Sequence, residues 1–242
     1  CLSILSISDL DFDIFVLYKS CEICFLADFT ETKHLRKIQS FVKRSGRLSK
    51  GQSLGLNELW ADYGINVDKT LLNFKEVFGN QSEVTLEVGF GNGDSLLEMA
   101  IHEPGQNFLG IEVYEAGVGR LVNEASKKSI NNLRVIKEDA VEVLENNIPD
   151  GSISNFQLFF PDPWHKKRHH KRRIVQKSFL DLLSRKLIND GMVHVATDWE
   201  EYAEHIMETL ESHPHFKNRA GDHMLSLIHI SEPTRPERIA VA

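Results

Sequence analysis

The stretch with the most chemical content covers residues 159–173, where an apolar run leads into an acid and then into a dense group of cations. Asp162 stands between Pro161 and Pro163, and Trp164 follows directly. The next nine residues contain six lysines or arginines and three histidines. Prolines restrict the backbone on both sides of the acid, so its carboxylate has a defined place. A fixed carboxylate beside a basic strip predicts chemistry on a polyanion, because binding alone would need only the cations.

The cations after Trp164 would bind phosphates with strong salt dependence, and Trp164 itself offers an aromatic face for base stacking. Taken alone, such a run is also compatible with a solvated charged loop. Its attachment to the Pro-Asp-Pro-Trp sequence favours a nucleic-acid contact. A second basic stretch at 33–51, with interleaved apolar residues, predicts either a solvated arm or an RNA-contacting lid.

From residue 83 onward, short apolar runs alternate with amphipathic stretches, which predicts strands alternating with helices. We predict strands at 84–88, 107–113, 133–137, 154–160 and 192–197, and helices at 95–101, up to about 129, at 141–146, at 174–187 and at 200–212. This spacing is typical of an α/β fold with a doubly wound, mostly parallel sheet. Ligands of such sheets bind beyond the carboxyl ends of the strands, so the residues after each strand are the candidate site residues.

The first predicted strand ends in a glycine-rich sequence that opens with Glu87 and includes Gly89 and Gly91. Glycines let the backbone turn tightly and approach a ligand closely. A dinucleotide-binding turn would carry a third glycine where Asp94 stands, and an acid there would repel a phosphate. Glu87 instead suits a cationic ligand, and S-adenosylmethionine carries an ammonium and a sulfonium group but no phosphate. The alternative interpretation is a tight strand–helix turn without a ligand.

Acids also follow the later strands. Glu112 stands where an acid binds ribose hydroxyls in nucleoside-binding sheets, and the alternative is a surface glutamate. Asp139 can contact an adenine edge or cap the helix that follows, and both roles are compatible. Asp198 follows the fifth strand, either as part of the shared crevice or as the N-cap of the last helix.

Five segments together resemble the bacterial tRNA (guanine-7-)-methyltransferase family: EVGFGNG at 87–93, NFLGIEV at 107–113, FFPDPWHKKRHHKRR at 159–173, ATDW at 196–199 and SFVKRSGR at 40–47. The resemblance covers about residues 38–218 and is most specific at 159–173. It implies a Rossmann-like class I methyltransferase fold, S-adenosylmethionine as the cofactor and tRNA as the partner. The implied product is 7-methylguanosine in the tRNA variable loop, made by a cytoplasmic enzyme.

The resemblance also implies roles for single residues. The cofactor would be bound by the glycine-rich turn and four acids, namely Glu87, Gly89, Gly91, Glu112, Asp139 and Asp162. Asp162 would also be the catalytic acid, while Lys166 and Asp198 would contact the substrate guanosine. RNA would be bound by the basic loop, which comprises Arg168, His169, His170, Lys171, Arg172 and Arg173.

The chemistry of guanine gives Asp162 a task other than proton removal. The nitrogen at position seven of guanine has a free lone pair, so it needs no deprotonation before methyl transfer. The transfer makes the base cationic, and a fixed carboxylate stabilises that growing charge. The same carboxylate can orient the base by accepting from its amino and imino hydrogens. We therefore expect Asp162 to act through position and charge.

Four parts are expected along the chain: a non-family N-terminal extension at 1–32, a basic arm at 33–80, the methyltransferase domain at 81–218 and a non-family tail at 219–242. The N-terminal extension is either foreign to the native protein or part of it, and we expect the tail to be foreign. A methyltransferase sheet usually ends in a strand hairpin. Because the non-family tail begins at residue 219, the C-terminal strand of that hairpin is expected to be missing or replaced. An unpaired sheet edge would then be left.

Composition narrows the classes of function only slightly. The chain has 242 residues and a formal net charge of −7, so a nucleic-acid contact must come from a local basic patch. We expect neither a membrane span nor a secretory signal nor a metal site, and the sparse, odd cysteine count predicts a reducing compartment. The competing hypotheses are a methyltransferase for another substrate and a non-catalytic or impaired RNA-binding protein of the same fold. A nicotinamide dehydrogenase is disfavoured by Asp94.

Overall fold

A computed structural model of the protein describes residues 13–19, 39–41 and 46–218, with 13–19 described at the level of the backbone. The three cysteines, all lysines and arginines at 33–45 and the expected tail from 219 lie outside the described residues. The predictions for those parts therefore stay predictions.

Seven strands form one sheet, with the order β4-β3-β2-β5-β6-β1-β7. They are β1 Asp13–Lys19, β2 Val84–Val88, β3 Asn107–Ile111, β4 Leu133–Ile136, β5 Ile153–Phe159, β6 Leu187–Thr197 and β7 Phe216–Asn218. The five strands from β2 to β6 are parallel to one another, which confirms the predicted sheet and its fold class. The strand order reverses between β2 and β5, and ligands of doubly wound sheets bind at such a point.

Helices connect the parallel strands and cover both faces of the sheet. They are α1 Lys50–Asn57, α2 Trp60–Tyr63, α3 Phe74–Phe78, α4 Asp94–His102, α5 Glu115–Lys127, α6 Ala140–Asn146, α7 Lys177–Lys186 and α8 Glu200–Glu211, with a 3₁₀ helix at Lys167–Arg172. None of the helices in the described part of the chain has the length and apolar character needed to cross a membrane. The boundaries differ from the prediction by up to five residues: β3 ends at Ile111, α7 begins at Lys177, and β6 begins at Leu187 instead of Met192, with a register shift against β5.

Two apolar cores hold the helices on the sheet. One core packs α6, α7 and α8 against side chains such as Leu86 and Phe156. The other packs α4 and α5 around Phe108 on the opposite face. Part of the predicted basic arm joins this second core, since Tyr63 of α2 is buried in it. The side chains of β2 are buried along its whole length, as is usual for a parallel strand covered on both faces.

The N-terminal segment pairs with the sheet edge that the sequence analysis expects to be unpaired. β1 lies antiparallel between β6 and β7: residues 13–18 pair with 197–192, and residues 17–19 pair with 218–216. The edge of β6 expected to be unpaired is therefore covered by a segment from the expected non-family extension. At residues 13–19 this extension takes part in the fold, because it supplies backbone partners to two strands at once.

Deletion of residues 1–19 should expose the edges of both β6 and β7. We expect a fall of about 10 °C or more in Tm, or aggregation, because a strand between two others contributes several kcal/mol. Deletion of residues 1–12 leaves β1 intact and is the matched control. Equal Tm values for both truncated proteins, measured by calorimetry, would contradict a structural role for β1.

Candidate active site

A cavity of about 700 Å³ lies at the carboxyl ends of the parallel strands. Turns after β2, β3, β4 and β5 line it, and so do Ser40, Phe41 and Gly46 from the chain before α1. The position matches the ligand crevice of a doubly wound sheet, and the size suits a nucleoside-sized ligand.

The glycine-rich turn after β2 forms the wall between that strand and α4. Gly89 and Gly91 have φ angles of 74° and 55°, in the left-handed region where other residues are strained. The Gly89 N–H donates to the Ile111 carbonyl at 2.8 Å. Gly117 of α5 approaches the Gly91 carbonyl so closely that a side chain at 117 would overlap it. The turn is therefore held from two sides, and Gly89 borders the cavity directly.

Glu112 ties the turns after β2 and β3 together. Its Oε2 accepts from Gly91 N–H at 2.9 Å, and its Oε1 accepts from Val113 N–H at 2.6 Å and Tyr114 N–H at 2.9 Å. Glu112 also lines the cavity, so its position is compatible with the predicted ribose contact. A plain surface glutamate would be exposed, whereas Glu112 is half-buried and accepts from three backbone N–H groups.

Glu87 lies at the end of β2 and is 3% exposed. Burial, reinforced by the charge of Glu112, raises the pKa of Glu87 to about 8. Its Oε2 is buried without a hydrogen-bond partner among the described residues. A buried acceptor of this kind, one residue from the cavity-lining Val88, fits a cationic group better than a neutral one.

Asp139 and Asp162 both line the cavity, and each is held by one backbone bond. Asp139 is the N-cap of α6 and accepts from Val141 N–H at 2.9 Å, so the capping role and a place at the cavity coexist. Asp162 Oδ1 accepts from Trp164 N–H at 3.0 Å. Among the described residues its Oδ2 has no hydrogen-bond partner.

The backbone around Asp162 is strained at two positions. Phe160 and Trp164 have φ angles of 51° and 48°, although neither is a glycine. The Phe160 N–H donates to the Ala196 carbonyl at 2.8 Å and so continues the pairing of β5 with β6. Strained backbone of this kind occurs where a side chain must be aimed, and here it brackets the carboxylate of Asp162.

Arg172 fixes the basic loop to the chain before α1. Its guanidinium lies 3.9 Å from the centre of the Trp164 ring. Its Nε donates to the Gln39 carbonyl at 2.9 Å, and an Nη atom donates to the Phe41 carbonyl at 3.3 Å. The Trp164 indole donates to the Ser40 carbonyl at 3.2 Å. One face of Trp164 is thus covered by Arg172, and the two side chains hold residues 39–41 over the cavity.

Arg173 is buried, with 3% of its surface exposed. Its Nε donates to the Pro163 carbonyl at 2.8 Å, and its guanidinium stacks on Tyr202 at 4.8 Å. It also lies 3.5 Å from Glu201, which His170 approaches at 3.7 Å. In this arrangement Arg173 is not accessible to a phosphate, because its donors point into the protein. It supports the Pro-Asp-Pro segment instead.

The remaining cations of the loop point outward. Lys166, Lys167, Arg168 and Lys171 are exposed. Partial burial and the neighbouring cations lower the pKa of His169, which accepts from Arg168 at 3.2 Å. The four exposed lysine and arginine side chains therefore carry most of the positive charge that the loop can offer to RNA.

Asp198 lies at the exposed carboxyl end of β6 and is not part of the cavity wall. Trp199 occupies the N-cap position of α8, so the alternative N-cap interpretation of Asp198 is not what the fold uses. The ring of Trp199 contacts the ring of His165 at 4.2 Å, edge to face. This contact brings the turn carrying Asp198 next to the turn carrying Lys166, the two predicted guanosine contacts.

Sequence reasoning missed the residues that cover the cavity. Ser40, Phe41 and Tyr114 line it, yet none carries a charge. Two signals cover Ser40 and Phe41: the basic stretch at 33–51, for which a lid is one of two interpretations, and the family-like segment at 40–47, which by itself predicts no cavity contact. Carbonyl groups of residues 39–41 accept the loop's donors, and a sequence pattern does not reveal carbonyl partners.

Replacing Glu112 by glutamine should weaken binding of S-adenosylhomocysteine by ~10-fold or more, because an amide cannot accept all three backbone donors. Titration calorimetry measures this affinity. Glu115→Gln is the matched control: Glu115 forms an exposed ion pair with Lys137 at 3.0 Å and should change the affinity less than ~2-fold. A Glu112→Gln protein that binds like this control would contradict the assignment.

The residues around the cavity fit S-adenosylmethionine. The buried Oε2 of Glu87 suits an ammonium group, and the carboxylates of Glu112 and Asp139 suit hydroxyl and amino hydrogens. Within the described residues, no group of three or more His, Cys, Asp or Glu side chains is placed to hold a metal ion.

Comparison with known proteins identifies the family. Residues 81–239 match a family model described as "Putative methyltransferase", and the match runs past residue 218, where the motif resemblance ends. A tRNA (guanine-N(7)-)-methyltransferase from Vibrio parahaemolyticus is 56% identical over 191 residues, which are 78% of this chain and 80% of that protein. The protein of the same name from Shewanella amazonensis is 53% identical over 195 residues, covering 80% and 82%.

Among solved structures, a precorrin-6y C5,15-methyltransferase from Geobacter metallireducens is 17% identical, with a TM-score of 0.44 over 62% of this chain and 76% of that chain. The family model alone spans well over half of the chain, and the curated relatives exceed half identity over most of their length. The chain therefore belongs to the tRNA (guanine-N(7)-)-methyltransferase family of S-adenosylmethionine-dependent enzymes.

Proposed function

We propose that this protein methylates the seven-position nitrogen of a guanosine in the variable loop of tRNA, with S-adenosylmethionine as methyl donor. One observation carries the proposal most directly. Asp162 is a cavity-lining carboxylate fixed by a backbone bond, and an exposed basic loop begins four residues later. A cofactor cavity and an RNA-binding surface therefore meet at a single side chain.

The cofactor-binding part of the proposal uses the strand-end residues. Glu87 pairs with the ammonium group, Glu112 accepts from the ribose hydroxyls, and Asp139 receives the adenine edge. Gly89 and Gly91 let the backbone approach without a side chain in the way. When bound, the cofactor supplies an electrophilic methyl group, and the protein has to orient the acceptor base toward it.

Asp162 performs that orientation. Its Oδ1 is held by the Trp164 N–H, and its Oδ2 is the oxygen that remains to accept hydrogens from the base. A carboxylate fixed before the reaction stabilises the positive charge that develops on guanine, without the cost of reorganising solvent. Proton removal is not required, because the attacking nitrogen carries no hydrogen.

The RNA-binding part of the proposal is narrower than the sequence indicated. Lys166, Lys167, Arg168 and Lys171 are exposed and bind phosphates, whereas Arg172 and Arg173 are engaged inside the protein. Asp198 and Lys166, on adjacent turns, contact the substrate nucleotide. A cytoplasmic location goes with this proposal, since it follows from the tRNA substrate.

The proposal is tested by incubating the purified chain with methyl-labelled S-adenosylmethionine and unmodified tRNA, followed by nuclease digestion. Label in 7-methylguanosine is the expected result. Label in another nucleoside would replace the proposed position, and label in no nucleoside despite measured cofactor binding would favour a non-catalytic RNA-binding protein. If the true substrate were a small molecule, its methylation would proceed at the same rate with and without added tRNA.

Replacing Asp162 by asparagine should lower kcat by ~100-fold or more, because the neutral amide cannot stabilise the growing positive charge. Asparagine keeps the Oδ1 acceptor for Trp164, so Tm and the tRNA affinity should stay close to those of the unmodified protein. Single-turnover methyl transfer gives the rate. Near-normal turnover with intact cofactor binding would contradict the role of Asp162.

Two substitutions within the basic loop should affect different properties, one the tRNA affinity and the other the stability of the fold. Lys171→Ala should weaken tRNA binding and reduce the salt dependence by about one phosphate contact, with Tm unchanged. Arg173→Ala should lower the free energy of unfolding by about 2 kcal/mol or more, because it removes a buried, hydrogen-bonded side chain. Filter binding at several salt concentrations and thermal unfolding separate the two. If Arg173→Ala changed only the salt dependence, the proposed division would be wrong.

A further inference from the structure

Three polar side chains lie side by side on one face of the sheet: Glu87 on β2, Gln157 on β5 and His194 on β6. Glu87 pairs in register with Gln157, and Gln157 pairs in register with His194. Residues in register on parallel neighbouring strands present their side chains to the same face, with the strands about 4.8 Å apart. We call these three residues the polar row.

Each member of the polar row has a buried polar atom without a hydrogen-bond partner in the described part of the chain. The atoms are Glu87 Oε2, Gln157 Oε1 and His194 Nε2, and they are the complete set of such atoms there. Isolated buried atoms of this kind are rare in folded proteins. Their occurrence in one row on three adjacent strands, beginning one residue before the cavity-lining Val88, indicates a common function.

The surroundings of the polar row are mostly apolar. Helix α4 covers it with Met99, whose sulfur accepts from the Gln157 amide at 3.3 Å, while the charged side chains of α4, namely Asp94, Glu98 and His102, are exposed. Strand β3 contributes Gly110 in register and Glu112 beyond its end, and the backbone of β1 pairs with β6 at His194. Among the described groups, Glu112 is the charge that acts on Glu87.

Gln157, beside Glu87, and His194, beside Gln157, can each change between donor and acceptor. Rotation of the Gln157 amide presents either its oxygen or its N–H group, and a neutral imidazole does the same by a change of tautomer. A protonated Glu87 can donate to the Gln157 oxygen, and an ionised Glu87 can accept from the Gln157 amide. His194 then adapts to the free end of Gln157. The polar row can therefore satisfy either charge state of the carboxyl group.

We infer that Gln157 and His194 are positioning residues that allow Glu87 to lose its proton when the cationic cofactor binds. The O–H bond of Glu87 breaks, the proton passes to solvent, and the carboxylate pairs with the ammonium group. The inference rests on the part of the proposed function in which Glu87 binds the cofactor. It assigns no contact between the cofactor and Gln157 or His194.

The charge state of Glu87 gives the inference a measurable consequence. Because its pKa is raised to about 8, most of the carboxyl is protonated at neutral pH. Only the ionised form pairs with a cation, so affinity should increase as the pH rises through about 8. Burial also lowers the pKa of His194, so this ring stays neutral over the same range and does not repel the ligand.

The test measures the affinity for S-adenosylhomocysteine by calorimetry between about pH 6 and about pH 9, on the full chain. Gln157→Met and His194→Leu replace a switching group by an apolar one. Each should raise the midpoint of the pH profile by about one unit and weaken binding ~10-fold at neutral pH, with little change at the alkaline end. His194→Gln keeps a switching amide and should restore the original midpoint. Titration of the ligand is common to all variants and cancels in the comparison.

Thr85→Val is the matched control, because Thr85 is buried on the same face of β2 but belongs to the next row, with Asn155. It should leave the midpoint unchanged. Apolar variants that weaken binding equally at every pH, or keep the original midpoint, would overturn the inference. Absence of binding by the unmodified protein at any pH would overturn the proposed function together with it. If Gln157→Met fails to fold, His194→Leu and its glutamine counterpart decide the question.

Discussion

The site depends most on the set of backbone N–H groups that converge on Glu112. Parallel pairing of β2 with β3 brings their carboxyl ends to one edge, but it does not fix the turns that follow. Glu112 does so, since one carboxylate accepts from Gly91 in one turn and from Val113 and Tyr114 in the other. Charge-assisted bonds of this kind are stronger than bonds between neutral groups. The cavity keeps its shape before any ligand enters, which reduces the entropic cost of binding.

The basic loop combines two tasks that the sequence presents as one. Arg172 and Arg173 hold the loop against residues 39–41 and against α8. Their guanidinium groups contact carbonyl groups, aromatic rings and Glu201. The cations beside them, Lys166, Lys167, Arg168 and Lys171, are exposed and can neutralise phosphates. Arginine suits the first task because its planar group offers several donors in a fixed geometry. In a chain with a net charge of −7, the proposed RNA affinity would therefore be confined to a small surface next to Asp162.

Much of the fold followed from the sequence, because hydrophobic periodicity reports burial directly. The five parallel strands were located within a few residues, and the strand-end rule gave Glu112, Asp139 and Asp162, which all line the cavity. Asp94 repels a phosphate less than its charge alone implies, because Arg120 pairs with it at 2.7 Å and offsets that charge. The place of β1 was not predictable, because backbone pairing between distant segments leaves no periodic signal. The burial of Arg173 could not be predicted for a similar reason: a charged residue is expected to be exposed unless its buried partners are known.

The central claim is that the fixed carboxylate of Asp162 presents the seven-position nitrogen of guanine to the methyl donor. The most direct test uses two tRNAs of one sequence, one with guanosine and one with 7-deazaguanosine at the methylated variable-loop position. The replacement exchanges the attacking nitrogen for a carbon and keeps the edge of the base that Asp162 would accept from. The account predicts methyl transfer to the first tRNA, no transfer to the second and similar affinity for both. Equal transfer to both tRNAs would contradict it.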